Sequence, residues 1–141
     1  MEKLLASRKN VENVFADYSR MSDQYYENMV EVYHRGEYRK ASELLWGAIS
    51  QLIKALAALY GKRITAHSDF FPFVKQISKE IKNPDYYELF LFVHNLHKNF
   101  YDQMFPNEDF IIYLQNADHF IIKTREYIEK RLKELGIREP D

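Results

Sequence analysis

Tyr38-Arg-Lys-Ala41-Ser-Glu43-Leu-Leu45-Trp46-Gly-Ala48-Ile49-Ser-Gln-Leu52-Ile53-Lys-Ala-Leu56-Ala-Ala-Leu59-Tyr60 is the stretch whose reading decides the fold. Ala41, Leu45, Ala48, Leu52, Leu56 and Leu59 recur at three- and four-residue steps, the spacing of one face of an α-helix. Trp46, Ile49, Ile53 and Tyr60 form a second apolar line beside the first. A helix apolar over more than half its circumference is central, touched by several neighbours or by another subunit. Gly36 and Gly61 punctuate its two ends. The small pair Gly47-Ala48 lets a neighbouring backbone come close.

Upstream, Val11, Val14, Tyr18, Met21, Tyr25, Met29 and Val32 predict a first long helix over 11–34. Ser22-Asp23 offers a cap that could split it in two. So few residues separate it from the central helix that the two should pack as an antiparallel hairpin. Downstream, Ser68 predicts the cap of a short helix over about 69–81, with Phe70, Phe71, Val74, Ile77 and Ile81 inward. Asn83-Pro84-Asp85 restarts the chain as a helix over 84–104, proline being suited to a first turn. Pro106-Asn107-Glu108-Asp109 does so again for a last helix over 107–135, which ends at Gly136 before a frayed tail at 137–141. The expected fold is all-α: an up-and-down antiparallel bundle of about five helices in a single domain, 1–141.

Composition narrows the function. The chain has 141 residues, 46% hydrophobic and 29% charged, with a net charge of −1, which argues against a binder that holds nucleic acid by bulk positive charge. Cysteine is absent, which removes disulfides, thiolate chemistry and cysteine-ligated zinc. Met1-Glu-Lys-Leu-Leu-Ala-Ser-Arg8 lacks the apolar core of a signal peptide, and no run has the length of a membrane span, so a cytoplasmic protein is expected.

Leu89-Phe90-Leu-Phe-Val93-His94-Asn-Leu96-His97-Lys-Asn99-Phe100-Tyr101 carries the candidate chemistry. On one helix, Phe90, His94, His97, Tyr101 and Met104 share a narrow arc, with Glu88, Asn95, Asn99 and Asp102 on the other side. Two imidazoles and a phenol on an apolar face need partners. They make a pocket for a phosphate or base edge, an acid–base pair, or a packed histidine pair satisfied inside the core. Metal is not expected: the zinc-protease pattern needs histidines four apart around a glutamate, whereas these are three apart around Asn95 and Leu96. Lys62, Arg63 and His67 form a second cluster, able to hold a phosphate or simply to answer a helix dipole. No Gly-x-Ser-x-Gly and no phosphate-cradling loop occurs, and no cofactor is expected. The line Trp46, Ile49 and Ile53 reads either as a dimer surface or as core.

The run Gly36 to Ala48, continuing through Ile53-Lys-Ala-Leu-Ala57, together with Leu96-His97-Lys-Asn-Phe100-Tyr101, resembles the HEPN family, with its archaeal relatives of the PaREP type. The resemblance spans most of residues 28–132. It implies a helical bundle that forms a homodimer, binds nucleotide or RNA, and sometimes partners a small nucleotidyltransferase in a toxin–antitoxin pair. The family's ribonucleases carry Arg, then four to six residues, then His. Here His94 and His97 have no arginine in that window, and His67 has Lys62 at the right distance with Arg63 one step too close. Lysine lacks the bidentate fork that arginine offers a phosphate. The expected function is therefore a binding module without catalysis, its ligand held by His94, His97, Tyr101, Arg63 and His67. The alternatives are a metal-independent endoribonuclease working with His97, His94 and Lys62, and a structural partner subunit with no ligand.

Overall fold

The computed structural model describes residues 3–4, 7–102 and 105–138, with the side chains of 3, 4, 100 and 101 outside that description. It is an all-α bundle. In chain order come β1 (Lys3–Leu4), α1 (Arg8–His34), α2 (Tyr38–Leu59), β2 (Lys62–Arg63), a 3-10 turn (His67–Asp69), α3 (Phe70–Glu80), α4 (Pro84–Val93), α5 (Asn95–Asp102), a second 3-10 turn (Asn107–Asp109) and α6 (Phe110–Leu135). The two strands form only a two-residue antiparallel pairing, Lys3 with Arg63 and Leu4 with Lys62.

α2 is the central element, as its apolar circumference requires. Ala41, Leu45, Ala48, Leu52, Leu56 and Leu59 are all buried, and it packs against α1, α3, α5 and α6. Trp46, Ile49 and Ile53 are 4%, 0% and 1% exposed within this one chain. The line read as a possible dimer surface is therefore core, because α2 is enclosed by the chain's own helices.

Cross-links fix the helix directions. Ser22 of α1 donates to the Ala48 carbonyl (2.7 Å), and Tyr25 lies directly over Gly47, so α1 and α2 run antiparallel. Ser22 thus continues the helix instead of breaking it, and its hydroxyl is used across the helix pair. Between α1 and α6, Arg8 donates to the Gly136 carbonyl, Arg125 pairs with Asp23, and Tyr26 donates to Asp118 at 2.6 Å. That sequence of partners is also antiparallel. α6 is therefore parallel to α2, a contact marked by Arg131 donating to the Leu59 carbonyl with its guanidinium 4.2 Å above the Tyr60 ring. The buried line of α1 runs through Phe15, Ser22, Met29 and Val32, while Met21, expected inward, is 44% exposed.

α4 lies antiparallel to α6. Tyr86 stacks on Phe120 (4.7 Å between centroids), and Phe92 stacks on Tyr113 (4.6 Å). Thr124 uses its proton on the Phe120 carbonyl, so the buried Tyr86 hydroxyl donates to Thr124 (2.7 Å). Two boundaries differ from the sequence reading. α3 is preceded by a 3-10 turn and its N-cap position is Asp69, not Ser68; the Asp69 carboxylate accepts the N–H of Ala66 at the start of that turn. The helix ends without glycine: Lys82 takes a left-handed φ of 56°.

The helix expected over 84–104 is two helices that meet at His94. There the His97 N–H bonds the His94 carbonyl at 3.1 Å, an i→i+3 tightening of the backbone. Met104 and 139–141 of the expected tail lie outside the described residues.

Candidate functional site

The turn at His94 sets up the site. α5 continues from it and is pinned to α2 by Asn99, which is 3% exposed. Its amide donates to Ser42 (3.1 Å) and accepts the N–H of Phe105 (3.1 Å). Asn99 was expected on the outer side; it faces inward because the tightened turn offsets α5 from the arc of α4. The same docking carries His97 to Glu43, whose carboxylate accepts from His97 Nδ1 at 3.1 and 3.3 Å.

The 3-10 turn brings His67 to the same place from the other side. His67 Nε2 lies 2.9 Å from His94 Nε2. His67 is also 5.1 Å from His97, centroid to centroid. Trp46 lies beneath all three rings, at 5.9 Å from His67, 5.1 Å edge-on from His94 and 5.6 Å from His97. Phe70, Phe71 and Phe90 complete the aromatic wall. Imidazoles from the 3-10 turn, the α4–α5 junction and α5 thus converge on one indole. His67 is exposed, His94 and His97 partly so.

An N···N hydrogen bond between imidazoles needs one donor and one lone pair, so His67 and His94 cannot both be imidazolium while it persists. The surroundings agree. Burial pushes the His94 pKa down to about 4, helped by the nearby charges of His67, His97 and Lys98. Burial and then His97 lower His67 as well. Glu43 moves the opposite way: burial raises its carboxyl, against the pull of His97. His67 and His94 are therefore held as neutral imidazoles, and the third ring, His97, is oriented by a carboxylate.

The other sequence candidates are placed apart. Lys62 donates to Gln76 of α3 at 2.8 Å. Arg63 is exposed on β2, where its backbone pairs with Lys3. The backbone of Tyr101 lies in α5, and its side chain is outside the described residues. Among the described residues no group of three acidic, cysteine or histidine side chains is arranged to hold a metal ion, and no helix is long and apolar enough to cross a membrane.

Glu43 and Trp46 were missed as site residues. Their signal was present: they stand three apart on α2, and Glu43 is a carboxylate beside a run of core positions.

A family model described as the archaeal PaREP1/PaREP8 family matches residues 17–121, a span that contains Glu43, Trp46, His67, His94 and His97. No curated protein matches the chain.

Proposed function

The chain belongs to the archaeal PaREP1/PaREP8 family, and we propose that it acts as a HEPN-like module that binds a nucleotide or an RNA end without cleaving it. The observation that carries this reading is the gathering of His67, His94 and His97 over Trp46 at a solvent-reachable edge of the bundle. The neutral rings of His67 and His94 each have a donor and an acceptor nitrogen, suited to base edges and phosphate oxygens, and the aromatic wall suits a base or sugar face. His94, His97, His67, Tyr101 and Arg63 are the proposed ligand-binding residues. Homodimerisation, a nucleotidyltransferase partner and a cytoplasmic setting belong to the same reading. With Trp46, Ile49 and Ile53 in the core, a dimer seam would use another face.

One observation favours a second reading, a metal-independent endoribonuclease. His97 is held by Glu43 as a catalytic imidazole is held by its orienting carboxylate. A neutral His94 could take the proton of a ribose 2′-hydroxyl as its oxygen attacks phosphorus and the bond to the 5′-oxygen breaks, with His97 entering the step as an imidazolium held by Glu43 and giving its Nε2 proton to the departing 5′-oxygen. The products would be a 2′,3′-cyclic phosphate and a 5′-hydroxyl. Lys62, proposed for the developing negative charge, is held by Gln76.

Incubating a single-stranded oligoribonucleotide with wild type and His97→Ala, while measuring affinity for both, separates the readings. Binding without cleavage supports the module. Cleavage that His97→Ala abolishes, with its melting temperature kept, replaces it with the nuclease. Absence of binding at millimolar nucleotide leaves a structural subunit.

A further inference from the structure

Next to the histidine cluster, sharing His67 and Trp46 with it, lies a depression of about 230 Å³ whose lining also includes Ser50, Lys54, Thr65 and Phe70. It is smaller than the roughly 300–1,000 Å³ of pockets that enclose a whole drug-sized ligand, so it fits one group of a larger molecule.

Lys54 gives it a sign. Its ammonium lies 5.8 Å from the Tyr18 ring centroid and 5.9 Å from that of Phe70. Among the described residues no carboxylate pairs with it. Partial burial of the ammonium lowers its pKa. An ammonium held over two aromatic faces and lacking an acid is attracted to an anion that enters from solvent.

The neighbouring groups fit the same ligand. Ser50 spends its proton on the Gly47 carbonyl (3.1 Å), which leaves its lone pairs and no donor. Lys54 and His67 are the lining groups that offer the ligand a cation and an imidazole N–H. When His94 Nε2–H donates to His67 Nε2, the neutral His67 carries its own proton on Nδ1. A lysine, an imidazole and an indole lining one depression suit a phosphate ester joined to a ring-bearing group.

We propose that this depression is the phosphate subsite of the nucleotide site, with Lys54 as the anchoring cation and His67 shared between the subsite and the histidine cluster. The proposal rests on the nucleotide-binding reading and assigns the phosphate to a residue outside the candidates drawn from the sequence.

Trp46 is the only tryptophan of the chain and lines the depression, so its fluorescence reports occupancy. Wild type, Lys54→Met and Lys54→Arg are titrated with adenosine 5′-monophosphate, adenosine and a short oligoribonucleotide at several salt concentrations. The two phosphate-bearing probes separate a free nucleotide from an RNA end as the natural source.

In wild type, the monophosphate should bind about tenfold or more tightly than adenosine, the effect of one charge-assisted hydrogen bond. Lys54→Met should lose about that factor and lower the salt slope by about one, while Lys54→Arg keeps most of the affinity. Monophosphate affinity unchanged in Lys54→Met overturns the phosphate assignment and leaves the nucleotide reading standing. Failure of wild type to bind any of the three probes overturns both. Should Lys54→Met fold poorly, the wild-type comparison of monophosphate with adenosine decides alone, since equal affinity for the two overturns the assignment.

Discussion

Replacing His94 by glutamine tests how the fold controls the charge of the site. The ring packs on Trp46, Phe71 and Phe90 and faces His67, His97 and Lys98, and its pKa sits near 4 instead of the ordinary 6.5. Between those values the unfolded chain binds a proton that the folded protein refuses. Stability is therefore fully present above about pH 6.5 and is lost as pH falls toward 4.

At 1.36 kcal/mol for each pH unit, the gap sets an upper limit of about 3.4 kcal/mol. His94 is partly open to water, and screening reduces the expected loss to about 1–2 kcal/mol. His67, also lowered, acts in the same direction. Glu43 acts oppositely, because its raised carboxyl weakens the fold as pH rises. Comparing the variant with wild type isolates the share of His94 from both. Urea unfolding from about pH 7 to about pH 4.5 should show wild type losing about 1–2 kcal/mol more than His94→Gln, at equal m-values. Parallel stability curves would refute the account of a ring kept neutral by its surroundings.

Other predictions concern the scaffold. Asn99→Leu removes two hydrogen bonds and leaves the Phe105 N–H without its acceptor, a loss of about 2–4 kcal/mol that differential scanning calorimetry should record as a fall of about 5–10 °C in Tm. Tyr86→Phe deletes the donor to Thr124 inside the core and should cost about 1 kcal/mol in chemical denaturation. Lys82→Gly relieves a left-handed backbone at the end of α3 and should raise stability by about 0.5–1 kcal/mol by the same measurement.

The helices were legible because their signals are local. The apolar steps of α2, the proline opening α4, the proline before the 3-10 turn that leads into α6, and Gly36, Gly61 and Gly136 each act within one or two turns of chain. Each of those glycines does take a positive φ. The break at His94 was not legible, because neither glycine nor proline marks it. The tightened turn is held by distant contacts of His94, His97 and Asn99 with His67, Glu43 and Ser42. Periodicity likewise placed His94 and His97 on one inward arc, but could not name partners 27 and 54 residues away. The misread face of α1 has a similar origin: Met21 is as apolar as Met29, yet packing with distant parts of the chain leaves the first 44% exposed and the second 1%.

The most direct test follows the imidazole signals of His67, His94 and His97 by long-range proton–nitrogen NMR while adenosine 5′-monophosphate is added. A shared, water-reachable binding site predicts that all three move together and saturate at one ligand concentration, while His34 and His119 stay in place. Three unmoved imidazoles at millimolar nucleotide would contradict it and leave the histidines as packing alone.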